Sequence, residues 1–293
     1  MATDPETNYP LAILVLSPLK SFTGNLITAE RIRKYFRNHR IFGFVKDPRE
    51  FATLEAFHGF LELYQVATVI AIHAIHCGKL LQDCPVPYAV IFGGTDVNHG
   101  GVNADCFPMM TDVVINARKL VAFTDLMARQ VLELWPDDIS TDKIEVIPQG
   151  VKLNPSELFS ISAHLKLVFS VTCEKPEIYM LVAGVRPVKD PLYLAEAFSD
   201  WHCSVNSKAY LVIVGPPLDE DYLNQFQAVV SRLPGVLFIP GLQHSDMQAA
   251  IRDSHALINS SRSEGQSVAI LEVSPLTCNN HTLHLKPLRW LNW

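Results

Sequence analysis

The chain is expected to be an α/β protein built on parallel sheets, and three observations carry that expectation. Short runs that are apolar throughout, such as Leu11 to Leu16 and Ile178 to Ala183, suit strands covered on both faces. Between such runs lie stretches of helical spacing, and strand alternating with helix is the pattern of a parallel sheet. The 293 residues suffice for two domains, each with its own core, and 48% hydrophobic residues leave little of the length to disorder.

The first strand, Leu11 to Leu16, is followed by a polar loop containing Thr23-Gly24-Asn25 and by a helix over Ala29 to Arg37. Taken alone, Gly24 reads as a simple tight turn, since any α/β unit can place a glycine there. A strand over Arg40 to Lys46, a helix over Phe51 to Tyr64 and a strand over Ala67 to His73 come next. His73 then stands at a carboxyl strand end, where open α/β sheets bind ligands, with a purely structural histidine as the alternative. The strand Pro87 to Phe92 runs into Gly93-Gly94-Thr95-Asp96-Val97-Asn98. Two glycines let the backbone approach a ligand, and Thr95, Asp96 and Asn98 offer hydrogen bonds to its hydroxyls, unless Asp96 only holds an Asx-type turn. Strands over Lys119 to Thr124 and Lys143 to Pro148, with a helix over Asp125 to Leu134 between them, complete the first half. Residues 151–177, with Pro155 and Pro176, lack a clean period and read as a connection, with a further strand over Leu165 to Val171 as an option.

The second half opens with the strand Ile178 to Ala183 and a turn over Gly184 to Asp190. Asp190 suits an N-cap and Pro191 a first helical position, which predicts a helix to Phe198. Arg186 and Lys189 would then lie at the positive end of a helix dipole and call for an anion. Strands over Ala209 to Val214, Val236 to Ile239 and His255 to Asn259, and a helix over Asp246 to Ile251, give four strands in this half.

The most informative stretch is Asn259 to Glu272. A strand, a small polar turn containing glycine and a helix from Ser267 aim free N–H groups at one point, which favours phosphate against Gly265, Gln266 and Ser267. Glu264 and Glu272 bracket that point, roughly 10 Å apart along the helix axis at ~1.5 Å per residue. The alternative is a Ser263–Gln266 capping box with Glu272 on a solvated face. After Glu272 no period is visible, and Pro275 is expected to stop the helix early. Residues 273–293 read as an unrelated tail on a truncated, poorly active chain.

A net charge of −6 without a basic run argues against nucleic acid. Six cysteines without a C-x-x-C pair indicate neither a zinc site nor a disulfide framework, and suit reduced thiols in a cytoplasmic protein, a secreted one being the alternative. His73, His76 and Cys77 are neighbours, but no carboxylate completes a metal set. No apolar run reaches membrane-spanning length. Of two glycosylation sequons, one starts at Asn259, inside the phosphate-binding stretch, which favours the cytoplasm.

Three segments carry a family resemblance: Ser263-Glu264-Gly265 with Glu272 following Glu264 after seven intervening residues, the turn from Gly184 through Arg186 and Lys189 to Asp190, and Ile147-Pro148-Gln149-Gly150-Val151. They resemble the E-x7-E, G-x-R-x-x-K-D and Ile-Pro-x-Gly-Val elements of retaining glycosyltransferases of the glycosyltransferase-1 group, and most closely the glycosyltransferase 1 domain-containing proteins. The likeness runs from about Leu11 to Glu272. It implies the GT-B fold: a Rossmann-like acceptor-side domain at 1–150, a connection at 151–177, and an incomplete Rossmann-like nucleotide-sugar domain at 178–272. It implies transfer of a hexose from a nucleotide diphosphate sugar to an acceptor, with retention and without a metal or other cofactor. Arg186 and Lys189 would hold the diphosphate, Gly265, Gln266 and Ser267 would meet it through the backbone, and Glu272 would take the ribose. Glu264 would reach the sugar and, with His73 and Asp96, form the catalytic set, while Gly24 marks the substrate loop. The relatives often carry His-Gly where this chain has Gly93-Gly94, which counts against a histidine role in that loop. Sugar-nucleotide binding without turnover, and an epimerase or phosphorylase on the same scaffold, are the alternatives.

Overall fold

Every strand pairing is parallel, which explains why the strands read as unbroken apolar runs rather than alternating ones. The computed structural model describes residues 11–21, 23–98, 104–262, 266–276 and 281–284. The chain divides into two units, residues 1–149 and 150–293.

In the first unit the chain runs β1 (Ala12–Leu16), α1 (Gly24–Asn38), β2 (Phe42–Lys46), α2 (Leu54–Leu63), β3 (Val66–Ile72), α3 (Ala74–Leu81) and β4 (Tyr88–Ile91). It continues through α4 (Gly94–Asn98), α5 (Phe107–Asn116), β5 (Lys119–Ala122), α6 (Asp125–Leu134) and β6 (Ile144–Val146). The strand order is β2-β1-β3-β4-β5-β6. Leu14 and Leu16 pack into one core with Phe57, Val69 and Trp135, while Ile13 and Val15 pack into another with Ala29 and Ile91. One strand thus feeds both faces. The loop after β1 is tied down by Asp47, whose carboxylate accepts from Leu19 N at 2.7 Å and Arg49 N at 2.9 Å. Hydrogen bonds from the Arg49 side chain, then those backbone donors, hold this carboxyl well below the usual carboxylate range.

The second unit contains α7 (Ile161–Phe169), β7 (Glu177–Val182), α8 (Ala195–Ser204), β8 (Ala209–Val214), α9 (Glu220–Val230) and β9 (Val236–Ile239). α10 (His244–Arg252), β10 (Ala256–Asn259), α11 (Val268–Leu276) and β11 (His281–His284) follow. The strand order is β11-β10-β7-β8-β9.

Four expectations are corrected. Leu165 to Val171 is no strand: it lies largely in α7, capped by Ser160, which accepts from Ala163 N at 3.3 Å, with Ile161 and Leu165 buried. Asp190 is no N-cap. Its backbone is left-handed (φ 44°) at the end of a short 3-10 turn, Pro187–Lys189, and the next helix begins only at Ala195. The dipole argument for Arg186 and Lys189 therefore falls. The stretch after Glu272 is not without structure, since α11 runs one residue past Pro275 and β11 adds a fifth strand beside β10. Gly93 to Asn98 is not an open loop, because α4 begins at Gly94.

Both sheets reverse direction beside their first strand. β1 lies between β2 and β3, and β7 between β8 and β10, which makes the carboxyl ends of β1/β3 and of β7/β10 the crevices where such sheets bind ligands. Among the described residues no helix is long and apolar enough to cross a membrane.

Candidate functional site

At the crevice of the first unit, three loops converge on one imidazole. His73 follows β3 with φ 73°, a conformation that a residue with a β-carbon adopts at a cost. Its Nδ1 lies 3.0 Å from Asp96 Oδ2 and its Nε2 3.3 Å from Asn25 Oδ1, beside Gly24 at the start of α1. Since a carboxylate only accepts, Nδ1 donates to Asp96. Asp96 is wholly buried and also accepts from Gly93 N at 2.8 Å and Ile75 N at 3.0 Å. It therefore does not reach ligand hydroxyls as expected. It orients His73 and caps α3.

His76 stacks edge-on to His73, with ring centroids 5.4 Å apart. Burial pushes the Cys77 thiol well up, and its Sγ donates to the Leu16 and Ile72 carbonyls, so it is no thiolate ligand. Among the described residues no three His, Cys, Asp or Glu side chains gather to hold a metal ion.

At the crevice of the second unit, the loop after β7 is bonded to the loops after β8 and β10. The loop after β7 carries Arg186 and Lys189. On one side Val185 N donates to Pro216 O at 2.9 Å, and Leu218 N returns to Val185 O at 3.1 Å. A β-carbon at Gly215 would stand 2.1 Å from the Ala183 carbonyl oxygen, so glycine is required there for the two backbones to pass. On the other side the loop after β10 approaches. Ser260 Oγ donates to Lys189 O at 3.0 Å, Arg262 N to Val188 O at 2.9 Å, and Arg262 Nε to Asp190 Oδ2 at 3.0 Å. Within that loop Ser261 N donates to Asn259 Oδ1 at 3.0 Å, which bends the chain sharply at the strand end. Gln266 and Ser267 precede α11, and Ser267 O takes the first helical bond, from Leu271 N. Glu264 and Gly265 lie outside the described residues, as does Ser263 of the alternative capping box.

Glu272 is not on a solvated face. It is only 2% exposed, and its Oε1 accepts from Gln248 Nε2 at 2.7 Å and lies 2.6 Å from His244 Nε2. Gln248 also donates to Lys152 O at 2.8 Å and accepts from Asn154 N at 2.7 Å. The glutamate is thus held between α10 and the first residues of its unit. Asn25, His244, Gln248 and Arg262 were not singled out from the sequence. Only Asn25 left a signal there, next to Gly24 in a loop already marked as polar.

No protein-family model matches the chain. It is 34% identical over 276 residues to glycosyltransferase 1 domain-containing protein 1 of Xenopus tropicalis, a match covering 91% of this chain and 76% of the relative. Among solved structures it is similar to Anabaena HepE in complex with UDP-glucose, with a TM-score of 0.69 at 14% identity over 94% of this chain and 80% of that one. It is also similar to sucrose-phosphate synthase from Thermosynechococcus elongatus, with a TM-score of 0.70 at 12% identity over 94% and 81% of the two chains. At such identities the likeness to solved structures is one of fold.

Proposed function

This chain belongs to the glycosyltransferase 1 domain-containing proteins, with the GT-B fold of that enzyme class, and on that premise we propose that it moves a hexose from a nucleotide diphosphate sugar to an acceptor with retention at the anomeric carbon. The observation that carries this is the joining of the Arg186–Lys189 loop to the loop after β10 at the crevice between β7 and β10.

Departure of the diphosphate leaves negative charge on the oxygen that had bonded the sugar. Arg186 forks onto phosphate oxygens and Lys189 adds a point charge, so the barrier falls by electrostatic stabilisation of that oxygen. The backbone at Gly265, Gln266 and Ser267 meets the same phosphates at the start of α11. Glu272, whose Oε1 is held by His244 and Gln248, takes the ribose hydroxyls through its other oxygen, and Glu264 takes the hexose. Gly24 and His73, with Asp96 behind the imidazole, serve the acceptor side in the first unit. With two cations neutralising the diphosphate, no metal is required.

The test is a panel of labelled nucleotide sugars offered with candidate acceptors, with product configuration read by NMR. A glycosylated product of retained configuration, formed equally in EDTA, is expected. Binding without product, inversion, or loss of turnover in EDTA would each overturn the corresponding part.

A further inference from the structure

Opposite Arg186 and Lys189 stands a third cation, to which the family elements quoted above give no role. Arg262 is anchored by its backbone to Val188, between the two. Of its guanidinium, Nε donates to Asp190 Oδ2, on a side chain 64% exposed, whereas that of Asp190 is 14% exposed. Such a single-point pair on a solvated arginine is weak, and it leaves the two terminal nitrogens for a further acceptor. A phosphate offers the same guanidinium two parallel bonds. We propose that Arg262 is a third ligand of the donor diphosphate, binding it through its terminal nitrogens, while the Asp190 carboxylate on Nε competes with the phosphate for the same guanidinium. This rests on Arg186 and Lys189 forming the diphosphate site.

The alternative is that the pair merely braces the two loops, and the two roles give opposite signs for one substitution. As a brace, Asp190→Asn loosens the loops and weakens binding. As a competitor, Asp190 opposes the phosphate, and its neutralisation tightens binding. Asparagine adopts the left-handed backbone of position 190 as readily as aspartate, so the turn survives the change. Ser260 and the Arg262 backbone keep the loops joined in either variant.

The experiment is calorimetric titration of the full chain with UDP and with GDP, the tighter ligand being carried forward, with thermal melts to establish folding. Lys189→Ala is expected to weaken binding, confirming the site. Arg262→Ala is expected to weaken it about 10-fold or more, the loss of one charge-assisted contact. Arg262→Lys should recover only part of this, because an ammonium cannot fork. Asp190→Asn should tighten binding by a factor of about two to ten, as a competing carboxylate is removed near a solvated cation. Unchanged affinity in Arg262→Ala, or equal weakening in Arg262→Ala and Asp190→Asn, would overturn the inference while leaving the donor site standing. Failure of both nucleotides to bind, or indifference to Lys189→Ala and Arg186→Ala, would overturn the donor site and this inference with it.

Discussion

A methyl group at position 93 would stand 1.9 Å from His73 Cε1, so glycine there is the condition on which the imidazole keeps its place. The ring cannot give way cheaply, because Asp96 holds Nδ1 and the backbone of His73 is already in an unfavourable region. The departure from the His-Gly of the relatives then has a physical cause: a second imidazole at 93 would occupy the space of the first. Gly93→Ala is expected to displace His73 and cost about 1–3 kcal/mol of stability by overpacking. Thermal melts and turnover of the variant check this, and unchanged values in both would mean that the ring does not lie against residue 93. Asp96 illustrates what residue type alone does not reveal. An aspartate after two glycines looks like a ligand contact, and only the packing of α3 and α4 turns its carboxylate inward.

Tyr88 of β4 joins strand to helix by donating its hydroxyl to Val113 O of α5 at 2.9 Å. Burial pushes this phenol up to about 12 from an ordinary value near 10. A group whose folded pKa is raised contributes stability that is fully present below pH ~10 and is lost as pH climbs through about 12. Denaturant unfolding at stepped alkaline pH should show that decline, and Tyr88→Phe should flatten it while losing about 1 kcal/mol at neutral pH with the Val113 bond. A decline as steep in the variant would assign it to other groups. The β-strands of both units except β11 were legible because parallel strands covered on both faces announce themselves as apolar runs. Helices such as α6 were legible from helical spacing between two strands, whereas a polar cap alone revealed neither α7 nor α9, although Ser160 and Asp219 cap them. α7 was obscured because Leu167 and Val168 put apolar side chains on its solvent side, Leu167 being 84% exposed. α3 was obscured because it follows β3 with only His73 between them, and β11 because its pairing with β10 is set by the sheet and not by an apolar run. Arg186, Lys189 and Glu272 stood out through the family elements they resemble, spacing alone leaving a capping box as the alternative reading of the stretch before Glu272. His244, Gln248 and Arg262 did not, since what brings them to the site is pairing between distant segments.

Each unit of the molecule has its own core: Leu14, Phe57 and Trp135 belong to clusters confined to the first, and Ile161, Met180 and Phe226 to clusters confined to the second. Unfolding is therefore expected to depart from a single two-state transition. A nucleoside diphosphate at 100 times its dissociation constant adds about 2.7 kcal/mol to whatever it binds, so calorimetry with UDP should raise one transition and leave the other. A uniform shift of both would count against a donor site contained in the second unit. The order of strands in that unit also bears on how the protein is made. As the chain leaves the ribosome, β7, β8 and β9 can pair in the sequence in which they emerge, because each neighbour is the next strand to appear. The other side of β7 waits for β10, where Leu257 lies opposite Met180 across a long closed loop. A nascent chain that has not yet released Asn259 thus holds a sheet with Arg186 and Lys189 on it and no facing loop to fix them. On the proposed donor site, the half supplied by the start of α11 is missing until the last strands dock, so nucleotide is expected to trap the finished unit more than to rescue an early folding intermediate.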